Sequence, residues 1–152
     1  MEQPHERSVC ASSFRQLKLI NMNLKTEKLF KTQVAMEFSA AHHIQGYDGD
    51  CARPHGHNFK VEVHVLSPVL NSIGIAVDFK TIKKYLKQVV DKLDHQDLNT
   101  LDFFKNFNPT AETIAQVIFN ELENHFKHEN LQLSKVVVWE STNSAASYGY
   151  ES

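Results

Sequence analysis

The chain has 152 residues, 41% of them hydrophobic and 22% charged, and its formal net charge is −2. This length suffices for one globular domain, and the weak net charge gives no reason to expect binding to nucleic acid or to a membrane surface. No stretch is apolar and long enough to cross a bilayer, and the N-terminus lacks the apolar run of a signal peptide. Two cysteines, Cys10 and Cys51, are too few for a disulfide framework and fit a reducing compartment. We therefore expect a soluble, cytoplasmic protein.

Residues 1–28 are polar and show little periodicity, so we interpret them as an N-terminal tail or extension. The remainder, residues 29–152, is predicted to be a single domain, because it contains neither an internal repeat nor a linker. Met22 lies just before the first convincing strand and is an alternative natural start of the protein, which amino-terminal sequencing would decide.

Two strands joined by a polar loop are predicted first. Apolar and polar side chains alternate from about Leu29 to Ile44, and the alternation returns from about Gly56 to Leu66. The segment Gln45–Pro54 between them is rich in glycine and aspartate, which favours a loop. If the strands pair antiparallel, the end of the first lies beside the start of the second.

Three histidines stand at that end of the predicted pair: His42 on the first strand, and His55 and His57 on the second. Each continues the apolar face of its strand, because residues two apart share a face. Histidines without a ligand on the core-facing side would be costly to desolvate. Three neutral imidazoles with an open fourth position form the ligand set of a catalytic zinc ion, so we predict a Zn²⁺ site. The adjacent His43 points to the other face and is not included.

Cys51 lies in the connecting loop and has two functional interpretations. It is either a fourth ligand that closes a structural zinc site, or a free thiol beside an open site. The alternative without function is an incidental loop cysteine. Structural zinc sites usually carry more thiolates, often in closely spaced pairs, and this favours the open site. A thiol beside Zn²⁺ and histidine is a competent base or nucleophile.

Two amphipathic helices are predicted next. Asp78 is a suitable N-cap for the first, whose apolar stripe runs from Phe79 to Leu93. The second begins near Asn108, with either Asn108 or Thr110 as its cap, and is predicted to end at Asn130.

Three acidic or basic residues outside the loop also have candidate roles. Asp94 and His95 directly follow the first helix, a position where capping and loop roles are commoner than catalytic ones. Glu140 ends the β-rich run Val136–Trp139, where an acid needs a cationic or hydrogen-bond-donating partner. A planar ligand with adjacent N–H donors would satisfy its carboxylate bidentately.

The predicted order along the chain is strand, strand, helix, helix, strand, strand, with the last strand over Ala145–Tyr150. This order predicts an α+β domain with an antiparallel sheet and two helices on one face.

Six motifs in fixed order carry a family resemblance that covers about Lys28 to the C-terminus. They are FSAAH ending at His42, CARPHGH from Cys51 to His57, GIAVDF from Gly74 to Phe79, LDHQDLN from Leu93 to Asn99, NPTAE from Asn108 to Glu112, and VWES from Val138 to Ser141. With them the chain resembles the 6-pyruvoyl-tetrahydropterin synthase superfamily. It is most similar to the 6-carboxy-tetrahydropterin synthase branch, because only three residues separate Cys51 from the His-Gly-His.

The resemblance implies a role for each matching residue. The residues that match the family's zinc ligands are His42, His55 and His57. Cys51 matches the catalytic cysteine, and Asp94 and His95 match the rest of a proton-relay triad. Glu140 matches the acid that anchors the pterin, and Glu112 matches a second acidic position near the pterin.

The resemblance also implies a fold, an assembly and a reaction. Family members are small α+β units of the tunnelling-fold type, whose sheets join into barrels in symmetric homo-oligomers, often hexamers, with active sites between subunits. The implied reaction converts 7,8-dihydroneopterin triphosphate to 6-carboxy-5,6,7,8-tetrahydropterin, with release of acetaldehyde and triphosphate, in queuosine biosynthesis. The alternatives are the formation of 6-pyruvoyl-tetrahydropterin and a zinc-stabilised binding module without catalysis.

Overall fold

A computed structural model of the chain describes residues 28–127 and 131–150. The predicted N-terminal tail, apart from Lys28, and the predicted helix end at Asn130 lie outside these residues. Within them, no helix is both long and apolar enough to span a membrane.

The described residues form an α+β fold with one five-stranded sheet, in the order β3-β1-β2-β4-β5, and two helices. The elements in chain order are β1 (Phe30–His42), β2 (His55–Ser67), α1 (Phe79–Val90), β3 (Gln96–Asp97), α2 (Ala111–Lys127), β4 (Gln132–Ser141) and β5 (Ser144–Gly149). The four long strands and both helices lie close to their predicted positions.

The short strand β3 was not predicted, and it corrects the expectation of a purely antiparallel sheet. Its two residues pair parallel to β1, with Ala40 opposite Gln96, whereas the other strand pairs are antiparallel. A positive φ of 56° at His95 turns the chain after α1. The His95 N–H then donates to the Ser39 carbonyl at 2.6 Å, which brings the following residues alongside β1. Two residues are too few to show an alternating pattern in the sequence.

The core lies between the helices and one face of the sheet. Phe38 and Phe59 are cross-strand partners in the β1–β2 register, with ring centroids 5.1 Å apart, and both are buried. The stripe of α1 is buried as predicted at Ile82, Leu86, Val89 and Leu93. Phe79 is the exception, since it is 57% exposed. It is the first residue of α1 and continues an exposed loop rather than facing the sheet.

Side chains begin both helices. The Asp78 carboxylate accepts a hydrogen bond from the Lys80 N–H at 2.8 Å, as expected of an N-cap. For α2, Thr110 is the cap, because its hydroxyl accepts from the Thr113 N–H at 3.4 Å. Asn108, the other candidate, uses its side chain to bind the backbone of Gln45 instead.

His64 is a buried histidine on the other face of β2, at 6% exposure, and neither ring nitrogen has a hydrogen-bond partner. Burial lowers the pKa of His64, and the charges of Lys31 and Lys135 act in the same direction, while Glu62 opposes them. As the pH falls through about 6.5, the ordinary pKa of an unfolded histidine, the unfolded chain therefore takes up this proton first. The stability that neutral His64 maintains is complete above that pH and is lost below it.

We therefore expect the free energy of unfolding to fall between pH 7.5 and pH 5.5 by more in the wild type than in a His64→Gln variant. Glutamine does not titrate, so the difference between the two slopes isolates His64 from the other histidines. Urea unfolding at several pH values measures both slopes. Equal slopes for the two proteins would show that His64 titrates alike in the folded and unfolded states.

Candidate metal centre and active site

The three predicted histidines converge at one end of the β1–β2 hairpin. The register places His42 directly opposite His55, and His57 opposite Ala40. The ring centroids of the trio are 4.5, 5.2 and 4.9 Å apart. One possible ligand atom from each residue lies within 4.8 Å of the other two. The prediction that two strands bring three imidazoles to one point is confirmed, and the group is able to hold a metal ion.

Backbone carbonyls set the tautomers of two of these rings. His42 Nδ1 lies 2.7 Å from the Pro109 carbonyl oxygen, and His55 Nδ1 lies 2.7 Å from that of Arg53. A carbonyl only accepts, so each Nδ1 carries the proton and each Nε2 keeps its lone pair. This is the usual arrangement of a metal-binding histidine, whose other nitrogen donates to an outer partner.

The histidine nitrogens without a hydrogen-bond partner also indicate that the trio is able to hold a metal ion. The Nε2 atoms of His42 and His57 are buried and have no hydrogen-bond partner, which is costly unless a ligand occupies the space between them. Burial lowers the pKa of His42, and the neighbouring His55 and His57 act in the same direction, against the Pro109 hydrogen bond and Glu140. A lowered pKa keeps the ring neutral, as metal binding requires.

Within residues 28–127 and 131–150, this trio is the one group of histidine, cysteine or acidic side chains close enough to share an ion. Cys51 is not part of it. It is a half-buried free thiol in a short 3₁₀ turn, Asp50–Ala52, of the connecting loop. Its position argues against the closed four-ligand site and favours the open one.

One cavity of about 340 Å³ brings two members of the metal group together with three of the other candidate residues. His42, His55, Cys51, Glu112 and Glu140 all line it. Glu140 follows Val136 and Val138 at period-two spacing on β4, and its Oε1 lies 3.7 Å from His57 Nε2. Glu112 is exposed in the first turn of α2. Two carboxylates and a thiol thus face the same space as the imidazoles of His42 and His55.

Asp94 and His95 lie together but not in this cavity. The Asp94 carboxylate accepts from the Ser39 N–H at 2.9 Å and lies 2.9 Å from His95 Nδ1. The hydrogen bond from Ser39 lowers the pKa of Asp94, and the bond with His95 adds to this effect, so the acid is ionised at neutral pH. His95 is exposed and lines a second groove, on the β3 side of the sheet, together with His57.

Sequence reasoning missed several residues of the site. The carbonyl partners of His42 and His55, on Pro109 and Arg53, are backbone atoms that no residue type reveals. Both lie within recognised motifs, NPTAE and CARPHGH, and that was the one available signal. Tyr47 and the start of β5, Ser144–Ala146, also line the cavity. Neither was predicted, because small or exposed loop residues carry no pattern.

Together, the fold and the site define a class of small α+β proteins that bear three histidines able to hold a metal ion on one β-hairpin. The sequence profile of the 6-pyruvoyl tetrahydropterin synthase family matches residues 31–151, and the chain belongs to this family. It is thus a member of a lyase-type enzyme family, as the motifs indicated.

Named relatives and solved structures agree with this assignment. A 6-carboxy-5,6,7,8-tetrahydropterin synthase from Haemophilus influenzae is 31% identical over 142 residues, covering 79% of this chain and 99% of the relative. A protein of the same name from Synechocystis sp. is 38% identical, covering 73% of this chain and 86% of its own. The solved structure of Caenorhabditis elegans 6-pyruvoyl tetrahydropterin synthase superposes with a TM-score of 0.72 at 25% identity, covering 82% and 98% of the two chains.

Proposed function

We propose that the protein is a zinc-dependent lyase that converts 7,8-dihydroneopterin triphosphate to 6-carboxy-5,6,7,8-tetrahydropterin, releasing acetaldehyde and triphosphate, in the cytoplasmic synthesis of queuosine. The observation that carries the proposal is the shared cavity, in which His42 and His55 of the three-histidine group face the Cys51 thiol and the Glu112 and Glu140 carboxylates. The names of the Haemophilus and Synechocystis relatives support this branch of the family.

The histidine group, Cys51 and the two glutamates each have a role in this proposal. His42, His55 and His57 hold Zn²⁺, which when bound supplies a Lewis acid and a template for the side-chain oxygens of the substrate. The Cys51 thiolate removes a proton from the activated carbon. Glu140 accepts hydrogen bonds from the amino group and ring N–H of the pterin, with Glu112 as the second acidic contact. This orients the reactive side chain toward the histidines.

Asp94 and His95 complete the proposed proton relay from a second subunit. Ionised Asp94 holds the His95 ring at 2.9 Å, so the imidazole is oriented to shuttle protons. His95 lines a groove separate from the Cys51 cavity of its own chain. A homo-oligomer in which sheets join into a barrel, with active sites between subunits, accounts for that separation. Residues 29–152 form the catalytic domain in this proposal, and residues 1–28 an extension of it.

Product analysis tests the proposed function. The zinc-loaded protein is incubated with 7,8-dihydroneopterin triphosphate, and the products are identified by mass spectrometry. Acetaldehyde and 6-carboxy-tetrahydropterin are the expected products. Release of triphosphate with 6-pyruvoyl-tetrahydropterin instead would place the protein in the other branch. No turnover, together with metal-blocked alkylation of Cys51, would favour a zinc-stabilised binding module.

A Glu140→Gln variant is expected to bind substrate more weakly and to lose about 10- to 100-fold in kcat/KM, mostly through KM. The amide keeps one acceptor oxygen and replaces the other by a donor, which leaves a substrate N–H without its charged partner. A lost hydrogen bond to a charged group costs about 1.5–3 kcal/mol. Steady-state kinetics measures the effect.

Glu121→Gln is the matched control for this variant, because Glu121 pairs with Lys92 on the surface and does not line the cavity. It should retain the wild-type KM, and both variants should retain their metal. An unchanged KM in Glu140→Gln would exclude Glu140 as the pterin anchor.

A further inference from the structure

Two asparagines bind the short segment that follows β1, residues 43–45. Asn99 Oδ1 accepts from the His43 N–H at 2.8 Å, and Asn99 Nδ2 donates to the His43 carbonyl at 2.9 Å. Asn108 makes the same pair of bonds with Gln45, at 2.8 and 2.9 Å. Each side-chain amide thus acts like a residue of a neighbouring strand. We name these four hydrogen bonds the asparagine clamp.

The clamped segment connects the metal group to the cysteine loop. His42 immediately precedes it at the end of β1, and Ile44 lies at its centre. The Ile44 N–H donates to the Cys51 carbonyl at 2.8 Å, so the backbone that carries the thiol is fastened to the clamped residues. A displacement of the segment would therefore move Cys51 relative to His42.

Asn108 has a second connection to the metal group. The carbonyl of the next residue, Pro109, is the partner of His42 Nδ1 at 2.7 Å. The Asn108 carbonyl in turn accepts from the Thr113 hydroxyl at 2.6 Å, in the first turn of α2. One short stretch thus fixes the His42 ring, the segment before the cysteine loop and the helix start that carries Glu112.

Asn99 is also fixed by neighbouring structure, next to β3. It belongs to a 3₁₀ turn, Leu98–Thr100, that follows β3, and its N–H donates to the Asp97 side chain at 3.1 Å. Because β3 pairs with β1, this turn is tied to the same strand that ends in His42. Each asparagine therefore rests on structure that is independent of the cysteine loop.

We propose that Asn99 and Asn108 are positioning residues, which set the place of the Cys51 thiol relative to the three histidines. Neither side chain lines the cavity that Cys51 shares with His42, so they act through the backbone of residues 43–45. The inference rests on the proposed function for its kinetic consequence. The clamp itself is independent of which pterin is the substrate.

Asparagine is required at both positions because each amide is donor and acceptor at once. Aspartate has nearly the same shape and still accepts from the backbone N–H. It loses the donor, and it sets a negative oxygen against the His43 or Gln45 carbonyl. Asn99→Asp and Asn108→Asp therefore each remove one of the four hydrogen bonds of the clamp with little change of volume. Asn106→Asp is the matched control, since Asn106 is an exposed asparagine of the same region.

The test uses full-length, zinc-loaded protein in a Cys10→Ser background, so that Cys51 is the chain's remaining thiol. For Asn99→Asp and Asn108→Asp we expect kcat to fall by about 10- to 100-fold, the scale of a misplacement of about 1 Å. KM should change by less than about threefold, and the bound metal should remain. The rate of Cys51 alkylation by iodoacetamide should change in its dependence on pH. Asn106→Asp should match the wild type in every measurement.

A role confined to stability would lower the melting temperature and leave kcat and the alkylation profile at the assay temperature unchanged. That result would overturn the proposal. If the variants do not fold, backbone hydrogen exchange of the wild-type protein tests whether the clamp holds residues 43–45 in place. The clamp predicts that the amides of residues 43–45 exchange as slowly as those of β1, and rapid exchange would contradict it. If the wild type turns over no pterin, the proposed function is wrong. The alkylation of Cys51 and the hydrogen exchange of residues 43–45 still test the role of the clamp in that case.

Discussion

Replacing His42 with alanine is expected to weaken metal binding by more than about 100-fold and to remove turnover with it. Loss of an outer partner of a metal ligand costs about 10- to 100-fold in affinity, so loss of a ligand itself should exceed that range. His42 is also the most buried member of the trio, at 2% exposure, and the group contains only three ligands among the residues that the structure describes. Metal analysis by mass spectrometry and competition with a chelating dye measure the change.

His125→Gln serves as the control for this experiment. His125 stacks on Tyr85 with ring centroids 4.7 Å apart and belongs to α2, away from the metal group. This variant should retain the metal and the wild-type activity. Removal of metal from the wild type with a chelator should reproduce the His42→Ala effect, and added Zn²⁺ should reverse it. Full activity of a metal-free wild type would refute the zinc-dependent mechanism.

Replacing Cys51 with alanine is expected to lower activity without loss of the metal: the metal stays bound while activity falls about 100-fold or more. Cys51 lines the cavity but is outside the metal group, so its removal leaves all three imidazoles in place. A general acid or base typically contributes about 10²- to 10⁴-fold to the rate. Activity assays combined with metal analysis check both parts. Unchanged turnover would remove Cys51 from the mechanism.

A mixing experiment extends the Cys51 test to the proposed subunit arrangement. A Cys51→Ala protein and a His95→Ala protein are each expected to be nearly inactive. If the relay joins groups of two subunits, mixed oligomers contain some sites with both residues intact, and part of the activity returns. Mixtures that stay inactive after subunit exchange has been verified would show that Cys51 and His95 act within one chain.

The hairpin and its metal group could be predicted because their signals are local. Alternation with period two places His42, His55 and His57 on one face, and antiparallel pairing across a short loop brings them together. These inferences need only strand geometry and the order of the chain.

Other features depend on contacts that the residues do not encode locally. The turn at His95 that creates β3 depends on one backbone conformation and one hydrogen bond to Ser39. The exposure of Phe79 depends on where α1 begins relative to the sheet, although its spacing is that of a core residue. The roles of Asn99 and Asn108 could not be predicted, because the sequence does not distinguish an asparagine that binds a neighbouring segment from one that caps a helix or lies in a loop.

All three candidate ligands come from one hairpin, within residues 42–57, whereas Pro109, the partner of His42 Nδ1, is 67 positions further along the chain. Closing so short a loop costs little entropy compared with bringing distant segments together. The three candidate ligands are therefore brought together by local structure, and the later half of the chain adjusts the basicity and orientation of the His42 ring. Substitutions near Pro109 should consequently tune how strongly an ion is held, and only changes within the hairpin should eliminate the capacity to hold one.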